Sequence, residues 1–189
     1  ACGGDALMRI AALRQVNGYN PHLIAGEEPE LCLRLRQKGW RIWRMDATMT
    51  WHDARMLHWI QWWKRAVRGG HAYAEVSWMH RQDPERFWMR ESRRIWGWGL
   101  MLPLVSLGGM LGTHGWSLCL GLAYPLLMVK IYRQNRDRFG HRSALYYGIF
   151  CTLGKWPELL GQVQFHGNRL LGRRSSLIEY KSSPLLLDE

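Results

Sequence analysis

At 189 residues the chain can bury one ordinary hydrophobic core, and its net charge of +11 alongside twelve tryptophans points to an anionic partner, either nucleic acid or a membrane surface. Its four cysteines, Cys2, Cys32, Cys119 and Cys151, stand far apart with no Cys-x-x-Cys spacing, which argues against a disulfide scaffold and against a zinc site. The aromatic residues follow apolar helical spacings and form no evident basic strand platform, so nucleic acid is the disfavoured partner.

In chain order, Gly3 and Gly4 permit close backbone approach, and Asp5 stands where it either caps a following helix or meets a ligand hydroxyl. Residues 5–16 are amphipathic and end at Asn17-Gly18. The segment Gly26-Glu27-Glu28-Pro29-Glu30-Leu31 starts a second helix: Pro29 suits the first helical position, and Leu31 and Leu35 fall one turn apart on one face. Glu27, Glu28 and Glu30 therefore sit at the helix mouth. There they either complement the helix dipole, a contribution of about 0.3–1 kcal/mol, or serve chemistry. Gly39 closes that helix, residues 40–45 alternate like a strand, and His52 follows that strand.

Between residues 55 and 94 the side chains of Met56, Trp59, Ile60, Trp63 and Val67 recur at helical spacing, with Lys64, Arg65 and Arg68 on another side. Such a helix suits either a membrane interface or a core with a solvated basic face. Residues 95–129 hold no Asp, Glu, Lys or Arg, and the stretch is broken near its middle by Gly112-Thr113-His114-Gly115. Because about 20 apolar residues span a bilayer as a helix, residues 95–112 and 115–132 are expected to form a transmembrane hairpin. The arginines flanking it place both ends in the cytoplasm. Residues 144–165 are interrupted by Lys155-Trp156-Pro157-Glu158, which predicts an interfacial or re-entrant segment, followed by a loose tail.

Gly3-Gly4-Asp5, the Gly26 to Leu35 segment with Arg34, Gly39-Trp40-Arg41-Ile42 and His52 occur in an order that resembles the acceptor half of a family 2 glycosyltransferase. The resemblance covers roughly residues 1–75. Within it, Gln61-Trp62-Trp63-Lys64-Arg65-Ala66-Val67-Arg68 and Ala72-Tyr73-Ala74-Glu75 look like a bacterial membrane-bound subgroup. One departure is that the family's Glu-Asp pair appears as Glu27-Glu28, which lengthens the base by a methylene. Another is that Lys64 stands where a Gln-x-x-Arg-Trp element counted from Gln61 would have its Arg, so processivity is not inferred.

The resemblance implies an α/β fold, the C-terminal part of a GT-A glycosyltransferase domain, followed by amphipathic and transmembrane helices. The expected units are residues 1–54 (acceptor side), 55–94 (interfacial helix), 95–132 (hairpin) and 133–189 (basic loop, interfacial helix and tail). It implies inverting transfer from a nucleotide-sugar donor to a glycan or lipid-linked acceptor, in polysaccharide biosynthesis. Glu28 is then the general base with Glu27 beside it, Gly3, Gly4, Asp5, Gln61, Arg65 and Arg68 bind substrate, and His52 is a metal ligand for Mg²⁺ or Mn²⁺. The chain opens without Met and contains no Asp-x-Asp and no phosphate loop. It is accordingly expected to be a fragment lacking the nucleotide-binding half, in an enzyme of the inner membrane with its catalytic part cytoplasmic. Membrane lipids are the expected further partner and nucleic acid is not. The rival from another class is a non-enzymatic, basic membrane-binding or interaction protein, in which Glu28 is dispensable.

Overall fold

The computed structural model describes residues 6–45 and 56–173, and within these the fold is helical. Eight α-helices follow in order: α1 (Ile10–Gln15), α2 (Glu27–Gln37), α3 (Trp59–Met79), α4 (Met89–Trp96), α5 (Leu102–Gly108), α6 (Ala123–Phe139), α7 (His141–Leu153) and α8 (Lys155–Leu170). A π-helical turn, Gly97–Met101, joins α4 to α5, and a 3-10 segment, Trp116–Leu122, leads into α6.

The first two helices form a small unit. Ala12 of α1 and Val16 just after it bury against Leu31 and Leu35 of α2, with Met8, Leu13 and Trp40 at the edge. Asn17 and Gly18 both take positive φ, 56° and 66°, and so end α1 where the sequence predicts. Gly39 does the same after α2, at φ 83°.

The body of the molecule is built on α3 and α8. Their backbones touch at two reciprocal glycines: a Cβ on Gly70 would collide with the Glu158 carbonyl, and a Cβ on Gly161 would collide with the Val67 carbonyl. The crossing therefore depends on absent side chains, as in closely packed helix pairs generally. Gly148 allows the same approach of α7 to α6, where a Cβ would lie 2.9 Å from the Met128 carbonyl. Ser92 of α4 donates to Gln162 Oε1 of α8 at 2.8 Å, and Gln162 donates back to the Ser92 carbonyl at 3.2 Å, which locks α4 against the pair.

Two expectations are corrected here. The α/β class is overturned: residues 40–45 form no strand, and no strand occurs among the described residues. Alternation marks two faces of a segment, but a strand exists only with a neighbour to take its backbone hydrogen bonds, and Ile42, Trp43 and Met45 stay exposed instead. The transmembrane hairpin is overturned as well, since among the described residues no helix is long and apolar enough to cross a membrane. Glycines and prolines divide residues 95–132 into the π turn, the seven-residue α5, a loop, the 3-10 segment and the start of α6. Residues 144–165 form α7 and α8 broken at Gly154, and α8 is a packing partner of α3. The proposed tail beyond residue 173 lies outside the described residues.

Candidate active site

The mouth of α2 is set by Gly26, whose φ of 81° starts the helix from a left-handed residue, so no side chain caps it. Glu27 and Glu28 are the first two helical residues and Pro29 the third, two positions later than its preference suggests. It is tolerated because the first N–H groups of a helix have no internal acceptor. Glu27 and Glu28 are both half-buried, and Glu28 is engaged with neighbouring groups.

Glu30, one turn further in, is a different kind of residue. It is 1% exposed and bound bidentately by Arg34, Nε to Oε1 at 2.7 Å and Nη2 to Oε2 at 2.8 Å. Arg34 also donates to the carbonyls of Val16 and Gly18, so the same guanidinium caps the C-terminus of α1. His80 at the end of α3 lies 3.3 Å from Glu30 Oε1 through Nε2 and 2.6 Å from Asp83 through Nδ1. Asp83 in turn accepts from Gln37 Nε2 at 2.8 Å. The bonds from His80 and Gln37 hold the Asp83 carboxyl below its usual value. This polar seam fixes α2 against the end of α3.

The α2 mouth is walled by Trp88 and Ala72. A Cβ at Gly26 would lie 3.0 Å from the Trp88 ring and 3.3 Å from Ala72 Cβ. Trp88 itself has φ 59°, an uncommon conformation for a bulky residue, and its ring packs edge-on to Tyr73 (4.7 Å) and stacks on Phe87 (5.1 Å). Burial and the nearby Glu158 and Glu91 carboxylates push the Tyr73 hydroxyl pKa up. Arg65, Arg68 and Ala72 recur at i, i+3 and i+7 on α3, so the helix face that meets Gly26 carries both arginines one and two turns away.

The expected site residues separate accordingly. Glu27 and Glu28 stand at the α2 mouth, and Arg68 and Arg65 lie on α3 one and two turns before Ala72, the α3 residue that meets Gly26. The Gln61 side-chain oxygen accepts from the N–H groups of Leu57 and His58 at 2.8 and 3.1 Å and so closes the first turn of α3. Arg65 is exposed and lies 3.6 Å from Met56 Sδ. Gly3, Gly4, Asp5 and His52 lie outside the described residues. Among the described residues no three His, Cys, Asp or Glu side chains gather as a metal cluster. Cys32 is disulfide-bonded, and Cys119 and Cys151 are free. The place of Trp88 at the α2 mouth was not readable in the sequence, because its signal is a backbone conformation, which residue type does not reveal. A cavity of about 700 Å³ opens elsewhere, along α4, and is lined by neither Glu27 nor Glu28.

Comparison with known proteins finds no matching family model and no matching solved structure. The chain is 28% identical over 173 residues to the succinoglycan biosynthesis protein ExoA of Rhizobium meliloti (strain 1021), and the match covers 84% of this chain and 48% of that protein. The chain thus spans about half the length of the curated relative it matches.

Proposed function

We propose that the chain is the acceptor-side part of an inverting glycosyltransferase of polysaccharide biosynthesis, with Glu28 as general base. What supports the class is the similarity to a succinoglycan biosynthesis protein. What supports the residue is the closure of the α2 mouth by Gly26 beneath Trp88, beside the α3 face that carries Arg68 and Arg65. In this reading the acceptor hydroxyl gives its proton to Glu28 as its oxygen bonds to the anomeric carbon. The bond from that carbon to the diphosphate breaks, and its electron pair leaves with the nucleoside diphosphate. Arg65 and Arg68 supply positive charge toward the departing group, and the Trp88 ring offers an apolar face to the acceptor. Nucleotide-sugar binding, and any divalent ion it requires, is assigned to the remainder of the full-length enzyme.

The test is transfer of labelled sugar from a nucleotide donor to glycan by the complete protein. Glu28→Gln is expected to lower transfer by about 10²–10⁴-fold, the usual cost of losing a general base, with donor binding nearly unchanged. Glu27→Gln should be milder. Transfer by Glu28→Gln within a few-fold of the unmodified protein removes Glu28 from the mechanism and favours the non-enzymatic rival.

A further inference from the structure

Arg86, Arg90, Arg93 and Arg94 converge on the cavity along α4, which ends on Trp98 and Leu102. Arg90, Arg93, Arg94 and Gly97 recur at i, i+3, i+4 and i+7, one stripe of the helix. The opposite face cannot exchange with it, because Ile95 is 2% exposed and Ser92 is bonded to Gln162. All four arginines are exposed, and none has an ion-pair partner among the described residues. The acidic residue at the rim, Glu85, is already paired with Arg36 at 3.2 Å. Like charges one turn apart destabilise a helix, so this cluster gains stability from a bound anion.

The other end of the groove is apolar. Leu102 belongs to α5, and α5 is tied to the 3-10 segment by Ser106 and Ser117, each hydroxyl donating to the other's carbonyl at 3.1 and 2.6 Å. Along this hairpin Leu104, Leu107, Leu111 and Trp116 face solvent, Leu111 at 88% and Trp116 at 77% exposure. An exposed apolar patch of this kind marks a binding surface. Unpaired cations beside exposed Leu and Trp match the cross-section of an anionic lipid monolayer, phosphates outermost and hydrocarbon beneath.

We propose that this face docks on an anionic bilayer surface, with the α4 arginines on lipid phosphates and the α5 hairpin seated at shallow depth among the acyl chains. The inference stands apart from the transferase reading, since it uses neither Glu28 nor α2. Co-sedimentation of the 189-residue chain with phosphatidylcholine vesicles, with or without about a third phosphatidylglycerol, tests it. Binding should be at least about tenfold tighter to the anionic vesicles. Arg90→Glu/Arg93→Glu should remove at least about tenfold of that affinity, and Leu111→Ser/Trp116→Ser should remove the fraction that survives high salt. The control with the same change in charge, Arg41→Glu/Arg44→Glu, should lose clearly less. If the Glu pair loses helicity by circular dichroism, Arg90→Gln/Arg93→Gln carries the same comparison. Equal losses in the control and the α4 pair would reduce the effect to net charge and overturn the proposal. Pyrophosphate that binds the chain without vesicles and displaces it from them would overturn it too, in favour of a soluble diphosphate site.

Discussion

Two glutamates two positions apart, Glu28 and Glu30, sit in different surroundings within one motif. Glu30 has its charge consumed by Arg34, which in turn secures the end of α1, whereas Glu28 stands half-buried at the helix mouth. Replacing Glu30 by Gln leaves the Arg34 guanidinium without its charge partner. The expected loss is about 1.5–3 kcal/mol, the range for a hydrogen bond to a charged group, read from denaturant unfolding. The 22% exposure of the Arg34 side chain keeps the loss below that of a fully buried pair. Glu28→Gln, at a half-buried position, should cost less than the change at the fully buried Glu30. The reverse order would make Glu28 the structural residue. The i, i+4 spacing of Glu30 and Arg34 was legible in the sequence. The Val16 and Gly18 carbonyls that Arg34 reaches, and the left-handed backbone of Trp88, were not, because they depend on how the chain returns in space.

At the scale of elements, what could be read were the ends that a single residue type enforces. Asn17, Gly18 and Gly39 terminate α1 and α2 through positive φ, and the apolar period of α3 correctly marks a helix. Partners were not readable. The strand expected over residues 40–45 has no neighbour among the described residues, and the uncharged run of 95–129 satisfied a length rule while its glycines and prolines broke it into short helices. The same periodicity of α3 fits a bilayer or a protein neighbour, and α8 covers the face containing Gly70. That crossing gives a sharp contrast between adjacent residues. Gly70→Ala drives a methyl into the Glu158 backbone and Gly161→Ala drives one into Val67, and each should cost about 1–3 kcal/mol or more by overpacking. Gly69→Ala and Gly167→Ala meet nothing within 4 Å and should be neutral or stabilise by up to about 1 kcal/mol. Thermal melting resolves this, at roughly 2–4 °C per kcal/mol for a chain of this size. Equal melting of Gly69→Ala and Gly70→Ala would refute the crossing.

Across the whole molecule, the two attachments of α3 respond to acid in opposite directions. Its end is tied to α2 through Asp83, whose carboxyl is held below its ordinary value of 3.8 by bonds from His80 and Gln37. Stability from such a depressed group is complete above 3.8 and is lost as pH falls through its folded pKa. Its middle is crossed by α8 at Glu158, whose pKa burial raises above the ordinary 4.5, against the lowering effect of Lys155 at 2.7 Å. A carboxyl raised in this way opposes folding while ionised, and that penalty disappears as pH falls through its folded pKa to below 4.5. Mild acidification should therefore raise hydrogen-exchange protection of α8, corrected for intrinsic rates, while α2 holds steady. Below pH 3.8 protection of α2 should fall first, opening the α1–α2 unit before the α3–α8 pair. Asp83→Asn should flatten the lower limb alone and Glu158→Gln the upper limb alone. Loss of protection in both helices at a single pH would mean that the polar seam and the glycine crossing melt as one cooperative unit.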